Sequence, residues 1–320
     1  MYPPYLITTK ILRQIASISE KIGQINARLL DKPSPKLRKE NRIKTIYSTL
    51  QIEGNKLTEE QITAIIDNQR IIGPKTDILE VKNAIELYKK LDSFNPFSVN
   101  SFLNAHKILM KDLVNDNGRY RKQGVGVISG DQIRHLAPPS ENVPYLMKDL
   151  FAFLKKSDEL VLIKSCVFHY EMEFIHPFTD GNGRMGRLWQ TLILMKEYPV
   201  FEFIPFENLI HKNQAKYYDA LSLSDKTGNS THFIEYMLGV VDDSLVNLLD
   251  IRNRVMSSED RLKYFFEKVK NPFSRKDYMS LFPDISTATA SRDLKLGIEL
   301  GYLNKIGDKA TAIYQKKIIT

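Results

Sequence analysis

The chain has 320 residues, enough for one large domain and a small one. Hydrophobic residues make up 42% and charged residues 26%, a composition that suits a packed core and excludes a disordered chain. Lys and Arg outnumber Asp and Glu by 46 to 38, a formal +8 that fits phosphate-bearing partners and equally well a solubilising surface.

The single cysteine, Cys166, excludes an internal disulfide and a Cys-based zinc site, and in its apolar surroundings it reads as a packing residue. Met1-Tyr2-Pro3-Pro4-Tyr5 has no basic region leading into an apolar leader. No apolar run approaches the ~20 residues of a membrane span. A soluble, cytoplasmic chain with no membrane partner is the expectation.

Ile11, Ile15, Ile18, Ile22, Ile25 and Leu29 recur at three- and four-residue steps, predicting an amphipathic helix that Pro33 and Pro35 end. A second helix is expected over 37–50, stopping near Gly54-Asn55. Thr58 with Gln61 three residues on has the form of a capping box. Helices are further expected over 78–91 and 98–113. Gly118, Gly124, Gly126 and Gly130 then punctuate a stretch in which 125–128 and 133–136 read as a small β-hairpin. Helices resume over 143–155, 158–174, 183–196, 213–223 and 231–254.

From about Ser258 the pattern changes. A helix over 261–268, a second ending at Phe282-Pro283, and a third capped by Ser286 or Thr287 and closed by Gly301 are followed by strands over 302–306 and 310–315. Three helices and a hairpin in about 60 residues is the pattern of a winged helix-turn-helix. The expected division is a mainly α domain over 1–255, with a small β-hairpin flap, and a winged-helix domain over 258–320.

One string concentrates chemistry: His176-Pro177-Phe178-Thr179-Asp180-Gly181-Asn182-Gly183-Arg184-Met185-Gly186-Arg187. Gly181, Asn182 and Gly183 allow a tight turn and leave backbone N–H groups uncovered. They stand just before a helix, whose first turn offers unpaired N–H groups and the positive end of the dipole to an anion. Arg184 and Arg187, three apart in that turn, can aim at one anion, and guanidinium suits phosphate oxygens. Asp180 would repel bare phosphate but fits if Mg²⁺ bridges them. His176 can serve as a general base near neutral pH.

The string resembles the motif of the Fic (filamentation induced by cAMP) family, H-x-F-x-(D/E)-G-N-G-R-x-x-R, at every specified position. Chance agreement of that kind is on the order of one in ten million. The resemblance implies a protein adenylyltransferase that moves AMP from ATP onto a Ser, Thr or Tyr hydroxyl of a target protein. It implies His176 as the base, Phe178 as the anchor of the loop and Asp180 as the Mg²⁺ holder. Gly181, Asn182 and Gly183 would be the phosphate cradle, with Arg184 and Arg187 on the phosphates. Asn213, Tyr217 and Tyr218 fall where the family approaches the nucleotide base. His169, seven residues before His176, reads as packing.

Thr49-Leu50-Gln51-Ile52-Glu53-Gly54-Asn55 is similar to the family's inhibitory motif (S/T)-x-x-x-E-(G/N). Its position before the core implies an inhibitory helix over about 37–54, with Thr49 and Gly54 framing a Glu53 that pairs with Arg187. A carboxylate there removes the partner of the γ-phosphate. The hairpin residues Gly126, Val127, Ile128, Ser129 and Gly130 lie where the family clamps its target, and backbone pairing would position a peptide with little sequence demand.

In the terminal segment Arg292 and Lys295 stand beside Ser286, Thr287, Thr289 and Ser291, as DNA contact would need. Asp284, Asp293, Glu299 and Asp308 are interspersed, so protein binding stays open beside it. The resemblance also leaves open a homodimer, self-modification, removal of AMP by the same site, and a regulator that senses nucleotide without chemistry.

Overall fold

The isoleucine stripe folds as α1 (Thr9–Arg28), with Ile11, Ile18, Ile22 and Ile25 buried and Ile15 half-buried. The computed structural model describes residues 3–28, 35–129, 132–255, 257–268, 272–282, 285–307 and 312–317, so Leu29 and Pro33 lie outside the described residues. Pro35 does not end α1 but opens α2 (Pro35–Ile52), the first-turn position where a missing N–H is tolerated. The chain divides into two compact units, Met1–Leu245 and Val246–Thr320. The fold is mainly α with small β elements, as expected.

In the first unit α3 (Glu59–Ile66) begins with the capping box read from sequence: Thr58 Oγ1 accepts the Gln61 N–H at 3.3 Å and Gln61 Oε1 accepts the Thr58 N–H at 3.0 Å. α4 (Lys75–Lys89), α5 (Val99–Leu109) and α6 (Val143–Lys156) follow. α7 (Val161–Ile175) starts three residues later than expected, because the Ser157 hydroxyl takes the Glu159 N–H (3.1 Å) and holds 157–160 in a turn. α8 (Asn182–Glu197) and the short α9 (Glu207–Lys212) come next. α9 is too brief to leave a periodic signature. Its C-cap is Asn213, so α10 (Gln214–Thr227) begins one residue beyond the expected start, and α11 (Thr231–Val255) follows.

α7 and α8 form the centre. α8 is buried on nearly every face, from Arg184 through Leu194, as befits a helix surrounded by others. Gly186 permits the close approach: a Cβ there would meet His169 Cδ2 at 2.7 Å. Trp189, fully buried, donates from Nε1 to the Pro96 carbonyl at 2.9 Å. Cys166 is buried and burial pushes its thiol up to about 12, so it packs and does not react.

The hairpin consists of β1 (Gly126–Ser129) and β2 (Gln132–Leu136), antiparallel from Gly126↔Leu136 to Ser129↔Gln132 with an irregularity between Val127 and Ile128. Gly130 lies outside the described residues.

The second unit comprises α12 (Ser258–Lys268), β3 (Phe273–Ser274), α13 (Arg275–Leu281), α14 (Thr287–Glu299), β4 (Leu303–Ile306) and β5 (Ile313–Lys316), with strand order β3-β5-β4. β3 goes beyond the expected pattern, because a strand of two residues cannot show alternation. Ser274 and Asp277 form a capping box, Ser286 caps α14, and Gly301 (φ +76°) closes it. Leu262, Phe265, Tyr278 and Leu294 fill the core. Beside them Arg261 grips Asp293 with two nitrogens, Nε to Oδ2 at 2.6 Å and Nη2 to Oδ1 at 2.8 Å, and Tyr278 donates to Oδ2 at 3.0 Å.

Candidate active site

The 176–187 string folds as a loop between the central helices followed by the first turns of α8. Gly181 is the N-cap of α8 at φ +84°, a left-handed conformation that favours glycine, and it supplies no side-chain cap. The first N–H groups of α8 have no intrahelical acceptor and face outward as donors. Asn182 does a different job with its side chain. Its Oδ1 accepts the Phe178 N–H and its Nδ2 donates to the Phe178 carbonyl, both at 2.9 Å, closing the loop on itself. Phe178 is fully buried, stacked on His106 at 3.6 Å and on Phe102 at 5.2 Å between centroids.

His176 is the C-cap of α7 and has a left-handed backbone (φ 50°, ψ 60°), which costs a non-glycine residue roughly 1–2 kcal/mol. Arg121, buried under the loop, holds it there. Its Nε donates to the His176 carbonyl at 2.7 Å, its Nη2 to the Pro138 and Ile175 carbonyls, and its own N–H to the Pro177 carbonyl at 2.9 Å. The imidazole Nδ1 lies 3.3 Å from the Glu173 carbonyl. An acceptor there fixes the proton on Nδ1 and leaves the lone pair of neutral His176 on Nε2.

His106 steadies the other side of the loop. Its Nδ1 accepts the Gly118 N–H at 2.8 Å, so Nε2 carries the proton and donates to the Asp180 carbonyl at 2.9 Å. Burial depresses it to about 4, so it stays neutral at ordinary pH. Asp180 Oδ1 accepts the Gly181 N–H at 2.5 Å and Arg184 Nη2 at 3.0 Å, and about half of the Asp180 side chain remains exposed.

The two arginines are placed differently. Arg187 is fully buried: Nε donates to Thr49 Oγ1 at 2.9 Å, and Nη2 to the Thr49 carbonyl at 3.0 Å and to Glu53 Oε1 at 2.6 Å. Its Nη1 is buried with no partner. Burial works against its charge, but Glu53 outweighs that and holds Arg187 firmly protonated. Arg184 points away from the cleft, with Nη1 on Glu80 Oε1 at 2.8 Å and Nη2 on Asp180.

Glu53 reaches Arg187 because α2 ends at the right place. The Asn55 N–H bonds to the Leu50 carbonyl and the Gly54 N–H to that of Gln51, with Gly54 at φ +90°. This is a Schellman ending with Gly54 at C′ and Glu53 at the C-cap.

Glu53, Glu173, His176, Thr179, Asp180, Gly181, Asn182, Gly183, Arg187, Tyr217 and Tyr218 line one cleft. Tyr217 is buried, its hydroxyl 3.0 Å from His169 Nε2 and 3.4 Å from Glu173 Oε1. Burial works to raise Glu173, but His169, His176 and Arg187 hold its carboxyl below the usual range. Asn213, expected near a base, is exposed at the α9–α10 junction with Nδ2 on the Leu209 carbonyl, and it is not among the residues lining the cleft.

Sequence reasoning missed Glu80, His106, Arg121 and Glu173. Glu173 alone left a signal, standing three residues before His176 on the same helix. No helix of the described residues is long and apolar enough to cross a membrane. Among the described residues no three His, Cys, Asp or Glu side chains cluster as a protein-only metal site.

The sequence pattern of the Fic/DOC family matches residues 96–194. Protein adenylyltransferase fic-1 of Caenorhabditis elegans is 26% identical over 245 residues, 72% of this chain and 45% of that protein. Protein adenylyltransferase Fic of Nematostella vectensis is 29% identical over 199 residues, 58% of this chain and 45% of that one. The chain thus spans about half the length of the curated relatives it matches. A solved structure of C. elegans Fic-1, 21% identical over 76% of this chain and 74% of that chain with a TM-score of 0.63, shares the fold. A Fic family protein of Desulfovibrio desulfuricans is 38% identical over 99% of this chain and 98% of its own, with a TM-score of 0.75. Likeness along the full length of both chains, with His176, Asp180, Gly181, Asn182, Gly183 and Arg187 of the motif gathered at one cleft, makes this chain a member of the Fic family.

Proposed function

We propose that the chain transfers AMP from ATP to a Ser, Thr or Tyr hydroxyl of a protein, and that Glu53 restrains it. The observation that carries this reading is the 2.6 Å pair of Arg187 with Glu53 at the cleft that His176 also lines. The relatives named protein adenylyltransferase support the same reaction.

His176 Nε2 would take the proton of the target hydroxyl. The oxygen would then attack the α-phosphorus, the bond to the bridging oxygen would break, and pyrophosphate would leave. The open N–H groups at Asn182 and Gly183, and Arg187 once free of Glu53, would hold the phosphates. Arg184 would join them after leaving Glu80. Tyr217 and Tyr218 would flank the base.

A single half-exposed carboxylate beside a phosphate site fits Mg²⁺, which takes one or two carboxylates and otherwise phosphates and water. Asp180 would hold it. Bound there, the ion would offset phosphate charge. Glu53 on Arg187 leaves the γ-phosphate without its cation, and a misplacement of ~1 Å can cost ~100-fold in rate.

The backbone of Gly126–Ser129 would take an extended target segment as an added strand. The Val246–Thr320 unit would act as a winged helix, with Arg292 and Lys295 of α14 toward DNA or a protein; salt-dependent gel shifts on duplex DNA separate the two. Homodimerisation, self-modification and a cytoplasmic setting complete the reading. One observation favours a second reaction at the site: Glu53 shares the cleft with His176, where it could orient a water to remove AMP.

The test is incubation with Mg²⁺, α-labelled ATP and lysate of wild type, Glu53→Gly, and Glu53→Gly with His176→Ala. Labelling that appears with the first variant and vanishes with the second supports transfer, base and brake together. ATP binding without labelling in any variant sinks the transfer reading.

A further inference from the structure

The turn that carries Glu53 is tied to the motif loop at a second point. Asn55, two residues on, is buried, and its Nδ2 donates to Glu80 Oε2 at 2.7 Å and to the Asp77 carbonyl at 3.1 Å. Its Oδ1 accepts the Leu57 N–H at 3.1 Å. The other oxygen of Glu80, Oε1, accepts Arg184 Nη1 at 2.8 Å, and Arg184 Nη2 donates to Asp180 Oδ1 at 3.0 Å. One carboxylate on α4 therefore joins the end of α2 to Asp180 through an unbroken run of hydrogen bonds. Both motif arginines are held by the same short segment, Arg187 directly and Arg184 through Glu80.

We propose that Glu80 is a positioning residue that couples the inhibitory turn to the phosphate site: it holds Arg184 on Asp180 while the turn is docked and releases it when the turn leaves. This rests on the reading that Glu53 restrains the enzyme. Glu53 and Asn55 lie on one turn and move together. Once Asn55 withdraws, Glu80 Oε2 loses its donor and the carboxylate can swing toward water. Arg184, whose Nε is already buried without a partner, then has reason to seek another anion. Leaving Arg187 and freeing Arg184 become one event.

The hydrogen-bond polarity makes this testable. Glu80 accepts on both sides. Glu80→Gln turns an N–H toward one of two donors, and Asn55→Asp turns a carboxylate toward a carboxylate. Combined, the polarities match again at the position-80 link, where the amide introduced there would accept from Arg184 and donate to the carboxylate introduced at position 55, while the bond from position 55 to the Asp77 carbonyl stays lost.

The full chain would be compared as wild type, both single variants and the double variant, with Glu53→Gly as reference. Two readouts apply: amide exchange of residues 50–57 without nucleotide, and labelling from α-labelled ATP. Each single variant should speed exchange at Gly54 and Asn55 and raise labelling about tenfold, the weight of a charge-assisted hydrogen bond. The double variant should return toward wild type in both. Single effects that simply add overturn the proposal, as does faster exchange spreading through α7 and α8. Should Glu53→Gly label while the other variants match wild type in both readouts, the coupling falls and the brake stands. Should no variant label while exchange follows the single-and-double pattern, the coupling stands and AMP transfer falls.

Discussion

Each unit of the molecule buries an arginine against a carboxylate, and the two pairs are built differently. In the Val246–Thr320 unit Asp293 is fully buried, gripped side-on by two nitrogens of Arg261 and capped by the Tyr278 hydroxyl. In the first unit one oxygen of Glu53 meets one nitrogen of Arg187, Nη1 is buried without a partner, and the Glu53 side chain is 27% exposed at the rim of a cleft. The first arrangement is closed and can only be lost by unfolding. The second leaves one side chain to be displaced and one donor waiting, as the proposed brake would need.

The strongest way to break the comparison is Asp293→Ala, which strands Arg261 in the core. Removing one partner of a buried pair costs about 3–5 kcal/mol, so the second unit should unfold early in denaturant while the first holds. The pair also sets an acid limit. Although burial raises Asp293, Arg261 holds it below the usual carboxylate range. Its stabilisation is present above the unfolded value of about 3.9 and is lost as pH falls through the folded one.

Glu53→Gly tests the other pair. Labelling should rise by up to ~100-fold, the scale of a misplaced phosphate set right, with less loss of stability than Asp293→Ala. A variant that unfolds as readily as Asp293→Ala, with no gain in labelling, would erase the distinction between the pairs.

Glu207 sharpens the contrast from a third side. It is buried with neither oxygen in good hydrogen-bond geometry, and burial pushes it up to about 8. The unfolded chain loses that proton near pH 4.3, so stability should fall as pH rises from there toward 8. Glu207→Gln should shrink the fall, visible as a smaller drop in melting temperature from pH 5 to pH 8 than in wild type. The smallest effect is expected of His106→Phe, which keeps the stack on Phe178 but loses the bonds to Asp180 and Gly118. About 1–2 kcal/mol of stability should go, with weaker nucleotide binding in a titration.

What the sequence made legible was local. The motif is twelve consecutive residues, so its loop, its glycine N-cap and its two arginines could be placed in order. The capping box at Thr58 and the glycine ending at Gly54 likewise depend on neighbours. Arg121, His106 and Glu80 act on residues 55, 74 and 104 positions away. Each stands in a stretch where a polar side chain reads as solvated surface, and only packing brings it to the loop. Arg184 shows the same limit. Its spacing to Arg187 said both could share an anion, but Glu80 was needed to turn it aside. The Glu53–Arg187 pair, 134 residues apart, was reached through family resemblance and not through any pattern of its own.

Gly183 carries a consequence for how this sequence can vary. A methyl at that position would sit 3.1 Å from Arg187 Nη1 and closer still to Glu53 Oε1. The Glu53–Arg187 pair as placed therefore leaves no room for a side chain there, independently of any phosphate. A lineage that lost Glu53 would shed that constraint, and drift at position 183 would record the loss. A lineage that gained a side chain at 183 first would have the Glu53–Arg187 pair dislodged by a single methyl group. The tolerance of position 183 would thus be a mutational record of whether Glu53 still meets Arg187.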